Sequence, residues 1–386
     1  MKWLLARQAE GIRISQAVNY WKELLNSGID PLEDKPQPRQ ANSIFQIEDN
    51  NATLESLQKD WIEYCLNFDE SHADQILSLA FAQFPIETVF SALILPSLNM
   101  VGQLWYEGEV TVQQEHFISE IAIKKIETLI TAAPHPVHAQ RILIFCPPNE
   151  HHIIAGLLLT LLLKHRGWDV LYLGANVPLD HLGRLINSVK PSLAVLTASR
   201  LSTSASLLKT INLLLEYKIP AAYGGWIFER IPDLVSHIPA SYLGTDLPSS
   251  IENIESLISN PRPHDTFEPR PLQHQKLVKK LNNMGPELNS LLRTKLSNTN
   301  NVLNTVDIYE INQHLIRDIS AALTFGDTKI LRFNLNWLSG LIGSRNIDYD
   351  QLRIYLNLFS STVEELLGPE ANIILGGLVN PAVNIL

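Results

Sequence analysis

The fold class predicted from the sequence is α/β plus all-α: a four-helix bundle, then a doubly wound parallel sheet domain, then a further helical domain. Three observations predict it. From about residue 53 to 134, apolar side chains recur at three- and four-residue steps in four segments, the period of amphipathic helices. Beyond Pro134-His135-Pro136, short apolar runs alternate with helical stretches, as in a parallel sheet with crossover helices. Beyond a proline-rich stretch at 259–273, only the helical period returns.

Taken in order, residues 1–27 read as a helix, with Ile12, Ile14, Ala17, Val18, Trp21 and Leu24 on one face and Ser15 as an N-cap. Residues 28–52, rich in Pro, Gln, Asn and Asp, read as a linker. The four helices of 53–134 are separated near Glu70-Ser71, at Pro85 and at Glu107-Gly108, and short joins imply antiparallel neighbours. In 135–258 the expected strands are Ile142 to Cys146, Val170 to Leu173, Leu193 to Leu196 and Ala221 to Tyr223. The helices between them run from Ile153, Leu179 and Leu207, giving a Rossmann-like sheet. A linker at 259–273 leads to helices near 274–296, 307–324, 328–342 and 349–366, in a domain (274–386) of unassigned role.

Composition narrows the functions. The 386 residues suit two or three domains. No apolar run reaches the roughly 18 residues of a membrane span, and Met1-Lys2 opens an amphipathic stretch, not a signal peptide. Two cysteines, Cys65 and Cys146, cannot build a disulfide framework. They read as buried thiols in a reducing cytoplasm. The net charge of −10, with lysines paired only at Lys124-Lys125 and Lys279-Lys280, gives no source for phosphate neutralisation. Direct DNA binding by this chain is therefore not expected.

In an open parallel sheet, ligands bind beyond the carboxyl ends of the strands. Three signals fall there: Glu150-His151-His152 after the first strand, Ser199-Arg200-Leu201 after the third, and Gly224-Gly225 after the fourth. No glycine-rich dinucleotide fingerprint follows the first strand, and no phosphate-binding G-K-[ST] occurs. A histidine with a carboxylate two residues before it suits a single metal ligand whose other ring nitrogen is oriented by the acid. One histidine is too few for zinc but enough for a metal already held by a macrocycle. Taken singly, the histidines could equally cap a surface helix, and Gly224-Gly225 could be an ordinary strand-end turn. In the bundle, Trp105 is followed after nine residues by Glu115-His116. Core packing for the ring and solvation for the pair are the plain alternatives.

Together, these motifs resemble the cobalamin-binding light-sensing regulators of the CarH type. The likeness covers residues 55–258 well, through Glu150-x-His152, Ser199-x-Leu201, Gly224-Gly225 and Trp105-x9-Glu115-His116. Residues 1–27 resemble the end of a MerR-type winged-helix domain, most of which is missing, and 274–386 resemble the group little. The resemblance implies a non-enzymatic, oligomeric regulator binding adenosylcobalamin. His152, not His151, is then the lower cobalt ligand and Glu150 its orienting acid. Ser199, Leu201, Gly224 and Gly225 line the channel for the displaced nucleotide tail. Trp105, Glu115 and His116 surround the adenosyl group, making the bundle a lid that responds when light removes it. Two departures stand out. Ala155 occupies the position where the group has glycine, with Gly156 one step late, and Tyr106 replaces a histidine that caps cobalt after illumination. A corrinoid carrier for a methyltransferase shares the same plan and is the alternative. For 274–386, a protein partner or a second pigment, a bilin, is the remaining expectation, with His314, Trp337, Tyr349, Tyr355 and Phe359 as the available rings.

Overall fold

The computed structural model describes residues 21–22, 53–260, 272–299, 305–332 and 349–375. The helix expected in 1–27 apart from Trp21 and Lys22, the linker 28–52 and most of the linker 259–273 lie outside the described residues, as does Trp337. The chain divides into two compact units, Met1–Ser56 and Leu57–Leu386, and the second carries every element that positions the candidate site.

Four helical segments open the second unit's architecture. Helix α1 (Leu54–Leu66) buries Leu57, Trp61 and Cys65 at four-residue steps, one stripe of an amphipathic helix. Helix α2 (Glu70–Gln83) starts where Asp69 accepts the His72 N–H at 3.1 Å, and buries Ala73, Ile76, Leu77 and Ala80. Helix α3 (Ile86–Glu107) is continuous through a π-helical turn at Phe90–Ile94 and stops at Gly108, φ +82°. Helix α4 (Val112–Thr131) is opened by a reciprocal Thr111–Gln114 capping box and packs against α2 and α3.

One expectation needs correcting. At 22 residues, α3 is long and apolar enough to cross a membrane by length and composition alone, although no apolar run of that length was apparent. The period hides it, because polar residues interrupt the run on one side. Val89, Phe90, Leu93, Ile94 and Val101 turn inward and are fully buried, while 33% of the helix's apolar window is buried overall.

The sheet is wholly parallel, in the order β2-β1-β3-β4-β5. Its strands are β1 (Arg141–Phe145), β2 (Asp169–Tyr172), β3 (Leu193–Thr197), β4 (Ala221–Gly224) and β5 (Ser241–Tyr242). Four were expected. The fifth is a two-residue edge strand, too short for any periodic signal. The intervening helices are α5 (Ile154–His165), α6 (Leu182–Val189), α7 (Leu201–Glu216), α8 (Trp226–Arg230) and α9 (Leu247–Ser259). Helix α7 begins six residues before Leu207, because Leu201, Ala205 and Leu208 continue its buried face through a Ser- and Thr-rich first turn.

Alternate residues of each strand feed two cores. Ile142, Ile144 and Val195 pack with Leu159, Leu162 and Leu163 of α5 and Ile251 and Ile254 of α9. Helix α5 is also covered on its outer side by α4, which explains a segment that is apolar nearly all round. On the other face, Leu143, Phe145 and Leu196 join Leu182 of α6 and Leu208 and Ile211 of α7. That core continues into α10 (Leu272–Ser297), α11 (Thr305–Phe325) and α12 (Tyr349–Leu367), through Leu281, Ile316, Ile319 and Phe359. The three helices are keyed by polar contacts: in the core Tyr355 donates to Asn312, whose side chain donates to the half-buried Asn289 at 2.6 Å.

Candidate functional site

The strand order reverses direction between β1 and β3, and such a switch point opens a crevice at the carboxyl ends of the strands. The loop after β1 carries Glu150 and His152; the loop after β3 carries Ser199. The structure joins them. The Glu150 side chain is 1% exposed and accepts four hydrogen bonds. His152 Nδ1 lies 2.6 Å and the His152 N–H 2.9 Å from Oε1; the Ser199 N–H and the Thr203 hydroxyl each lie 2.6 Å from Oε2.

Burial alone would push this carboxyl up, because it penalises the charged form. The bonds from the His152 ring, the Thr203 hydroxyl and the His152 N–H outweigh it and hold the group down at about 2. At neutral pH Glu150 is therefore an acceptor on both oxygens, which assigns the shared proton to His152 Nδ1. Nε2 lies on the opposite edge of the ring, in a side chain that is half exposed. A carboxylate on Nδ1 is the arrangement that orients an imidazole to ligate a metal through its other nitrogen. His151 is exposed and makes no side-chain hydrogen bond or ion pair among the described residues.

Among the described residues, no cluster of three or more His, Cys, Asp or Glu could cage a metal by itself. A donor set of one oriented imidazole fits a metal whose remaining ligands come from a macrocycle, such as the cobalt of a corrin. Cys146 does not compete: burial pushes its thiol up to about 11, and the sulfur sits 3.4 Å from the Thr197 hydroxyl.

Other expected site residues fall in several settings. Gly225, φ +120°, passes so close to β3 that a Cβ would lie 2.1 Å from the Ala198 carbonyl oxygen. Its glycine is thus required by the protein's own backbone. A Cβ on Gly224 would meet only Leu243, at 3.9 Å. Leu201 is 1% exposed and belongs to the sheet core, so it forms the wall behind the Ser199 loop. Gly156 is buried under Tyr172, whose ring would stand 3.2 Å from an added Cβ; Ala155 is exposed on the neighbouring turn.

In the helical segment, Glu115 and His116 come together. Glu115 accepts from the Ser119 hydroxyl at 3.1 Å, and its second oxygen lies 3.6 Å from His116 Nδ1. Neither makes a hydrogen bond or ion pair to the 146–153 loop. Trp105 is half-buried in the last turn of α3, beside Tyr106. Arg230, at the end of α8, is pulled down by burial and supported by Asp318 and Tyr106; Tyr106 therefore lies within electrostatic reach of the sheet domain.

In the last three helices, Tyr355 and Phe359 are fully buried in the core and His314 is exposed. Sequence reasoning missed Thr203, whose only signal was a hydroxyl four residues after Ser199, and Asn176, which braces the loop from β2.

Comparisons with known proteins bear on the ligand class. Residues 57–130, the four-helix segment, match the family described as B12 binding domain. Over 191 residues the chain is 29% identical to the HTH-type transcriptional repressor CarH of Myxococcus xanthus, covering 50% of this chain and 60% of that protein. Over 193 residues it is 23% identical to the repressor CarA of the same organism, covering 50% and 58%. The match thus spans less than two thirds of either repressor. Among solved structures, the monomethylamine corrinoid protein of Methanosarcina barkeri overlaps 53% of this chain and all of its own, at 15% identity and a TM-score of 0.47. A likeness that low carries no argument about function. The family match supports cobalamin binding, and the chain is similar to CarH and CarA over half its length.

Proposed function

We propose that this chain is a light-responsive regulatory module that holds adenosylcobalamin with His152 as the lower cobalt ligand. The observation that carries the reading is the buried Glu150 carboxylate, which fixes His152 Nδ1 and leaves Nε2 available at the switch point of the sheet. Adenosylcobalamin, when bound, supplies a cobalt–carbon bond that light can break. Glu150 orients the imidazole and keeps it in one tautomer. Ser199, Leu201, Gly224 and Gly225 border the crevice for the nucleotide tail, Leu201 as the apolar wall. Trp105, Glu115 and His116 enclose the upper ligand, so that α1–α4 act as a lid; the regulator is an oligomer, and α10–α12 offer it a protein-contact surface. The likeness to two transcriptional repressors favours regulation over catalysis.

The test is reconstitution in the dark with adenosylcobalamin and, separately, methylcobalamin, followed by illumination and sizing by light scattering. Preference for the adenosyl form, weakened by Trp105→Ala and Glu115→Ala, and a change of size on illumination are expected. Equal affinity for both alkyl forms with no change of size would point instead to a corrinoid carrier.

A further inference from the structure

We propose that Asn176 is a positioning residue for the His152 loop, holding Asn149 and Glu150 in the register that lets the Glu150 carboxylate fix the imidazole. The identity of the ligand rests on the reading above; the brace rests on geometry. Beyond the end of β2 the chain keeps step with the loop after β1. Leu173 N–H donates to the Ile144 carbonyl, Cys146 N–H to Gly174, and Val177 N–H to Cys146, each at 3.0 Å. Any residues could make those backbone bonds.

Asn176 adds something specific. Its side-chain Oδ1 accepts the Asn149 N–H at 2.8 Å, while its own N–H donates to the Glu150 carbonyl at 2.9 Å. One residue thus grips both sides of the Asn149–Glu150 dipeptide. The two asparagines both sit in left-handed backbone, φ +66° at Asn149 and +50° at Asn176, a region that asparagine tolerates better than most side chains. The Glu150 N–H is tied to the Pro147 carbonyl at 3.0 Å, so the loop is pinned from inside as well. This matters because bonds as short as those to the carboxylate weaken steeply once the backbone drifts. Asn176 bonds to Asn149 and Glu150 and not to His152; it acts through Glu150.

The variants are Asn176→Gly, which keeps left-handed backbone accessible but removes the acceptor, and Asn176→Asp, which restores one. Two measurements on the full chain decide. In ligand-free protein, hydrogen exchange at the His152 N–H reports the position of Glu150, its acceptor. With adenosylcobalamin, affinity and the absorption spectrum report how much cobalt is ligated by protein imidazole. We expect Asn176→Gly to speed exchange at His152 and to weaken adenosylcobalamin binding about two- to tenfold, the range of one lost hydrogen bond. The fraction of benzimidazole-ligated spectrum should rise, and Asn176→Asp should reverse each effect. Unchanged exchange at His152 and an unchanged spectrum in Asn176→Gly would overturn the proposal. So would equal loss of thermal stability in both variants, which would mark an ordinary loop residue. Failure of the unmodified protein to bind cobalamin would sink the functional reading, while the exchange measurement would still decide for or against Asn176.

Discussion

Glu150→Gln should lower the unfolding free energy by about 3 kcal/mol at neutral pH, and the loss should vanish in acid. The carboxyl is held at about 2, against an ordinary value of 4.5, and each unit of difference corresponds to about 1.4 kcal/mol. The sign follows from the direction. A group whose pKa is depressed by folding stabilises the native state fully above its unfolded value, and that contribution is lost as pH falls through the folded value. The sensitive window therefore runs from about pH 4.5 down to about pH 2. Glutamine keeps the shape but replaces one acceptor oxygen by a donor, which then faces donors already present: the Ser199 N–H and Thr203 hydroxyl, or the His152 N–H and ring. Urea denaturation of both proteins from pH 2 to pH 7 gives the comparison. A difference independent of pH would mean that the charge of Glu150 contributes nothing and that the variant fails for reasons of packing.

Much of this architecture is legible because burial writes itself into period. Ile142 to Cys146 and Leu193 to Leu196 are apolar on both faces, since both faces of a parallel sheet are covered. The helix from Ile154 is apolar all round because sheet and α4 take opposite sides. What escapes is whatever lacks a period. The edge strand Ser241–Tyr242 is two residues long, and the membrane-like hydropathy of α3 emerges only when its whole length is averaged.

The site divides in the same way. Glu150 and His152 are two residues apart and on one loop, so their pairing could be read from spacing. Thr203 and Asn176 reach the same carboxylate or its backbone from 53 and 26 residues further along the chain, brought there by the order of the strands. No local pattern announces such a contact. Gly225 shows how one residue can answer two demands. A Cβ there would lie 2.1 Å from the Ala198 carbonyl oxygen, so the chain's own backbone requires glycine whether or not a ligand passes. A glycine at a strand end is therefore weak testimony for a ligand until its neighbours are known.

His152→Ala should abolish the protein-imidazole-ligated spectrum of bound cobalamin, whereas His151→Ala should leave spectrum and affinity within about twofold, a change smaller than a single hydrogen bond is worth. The two histidines are adjacent and chemically alike, so only their surroundings separate them. His152 has its Nδ1 locked to a buried carboxylate and its Nε2 on the opposite edge of the ring; His151 is exposed and has no such partner among the described residues. Losing an acid that merely orients a ligating histidine commonly costs ten- to a hundredfold in metal affinity, and removing the ligand itself should cost more, unless the cofactor's own base replaces it. The spectrum distinguishes those outcomes, because the benzimidazole-ligated and protein-ligated forms absorb differently. The apo-protein provides an independent check. His152→Ala removes one of the four donors to Glu150, so it should cost about 2 kcal/mol in stability, the worth of a hydrogen bond to a charged group. In a Glu150→Gln background that cost should shrink, since the two side chains act as one unit. Equal behaviour of the two alanine variants, in spectrum and in the cycle with Glu150, would place the ligand elsewhere on the loop.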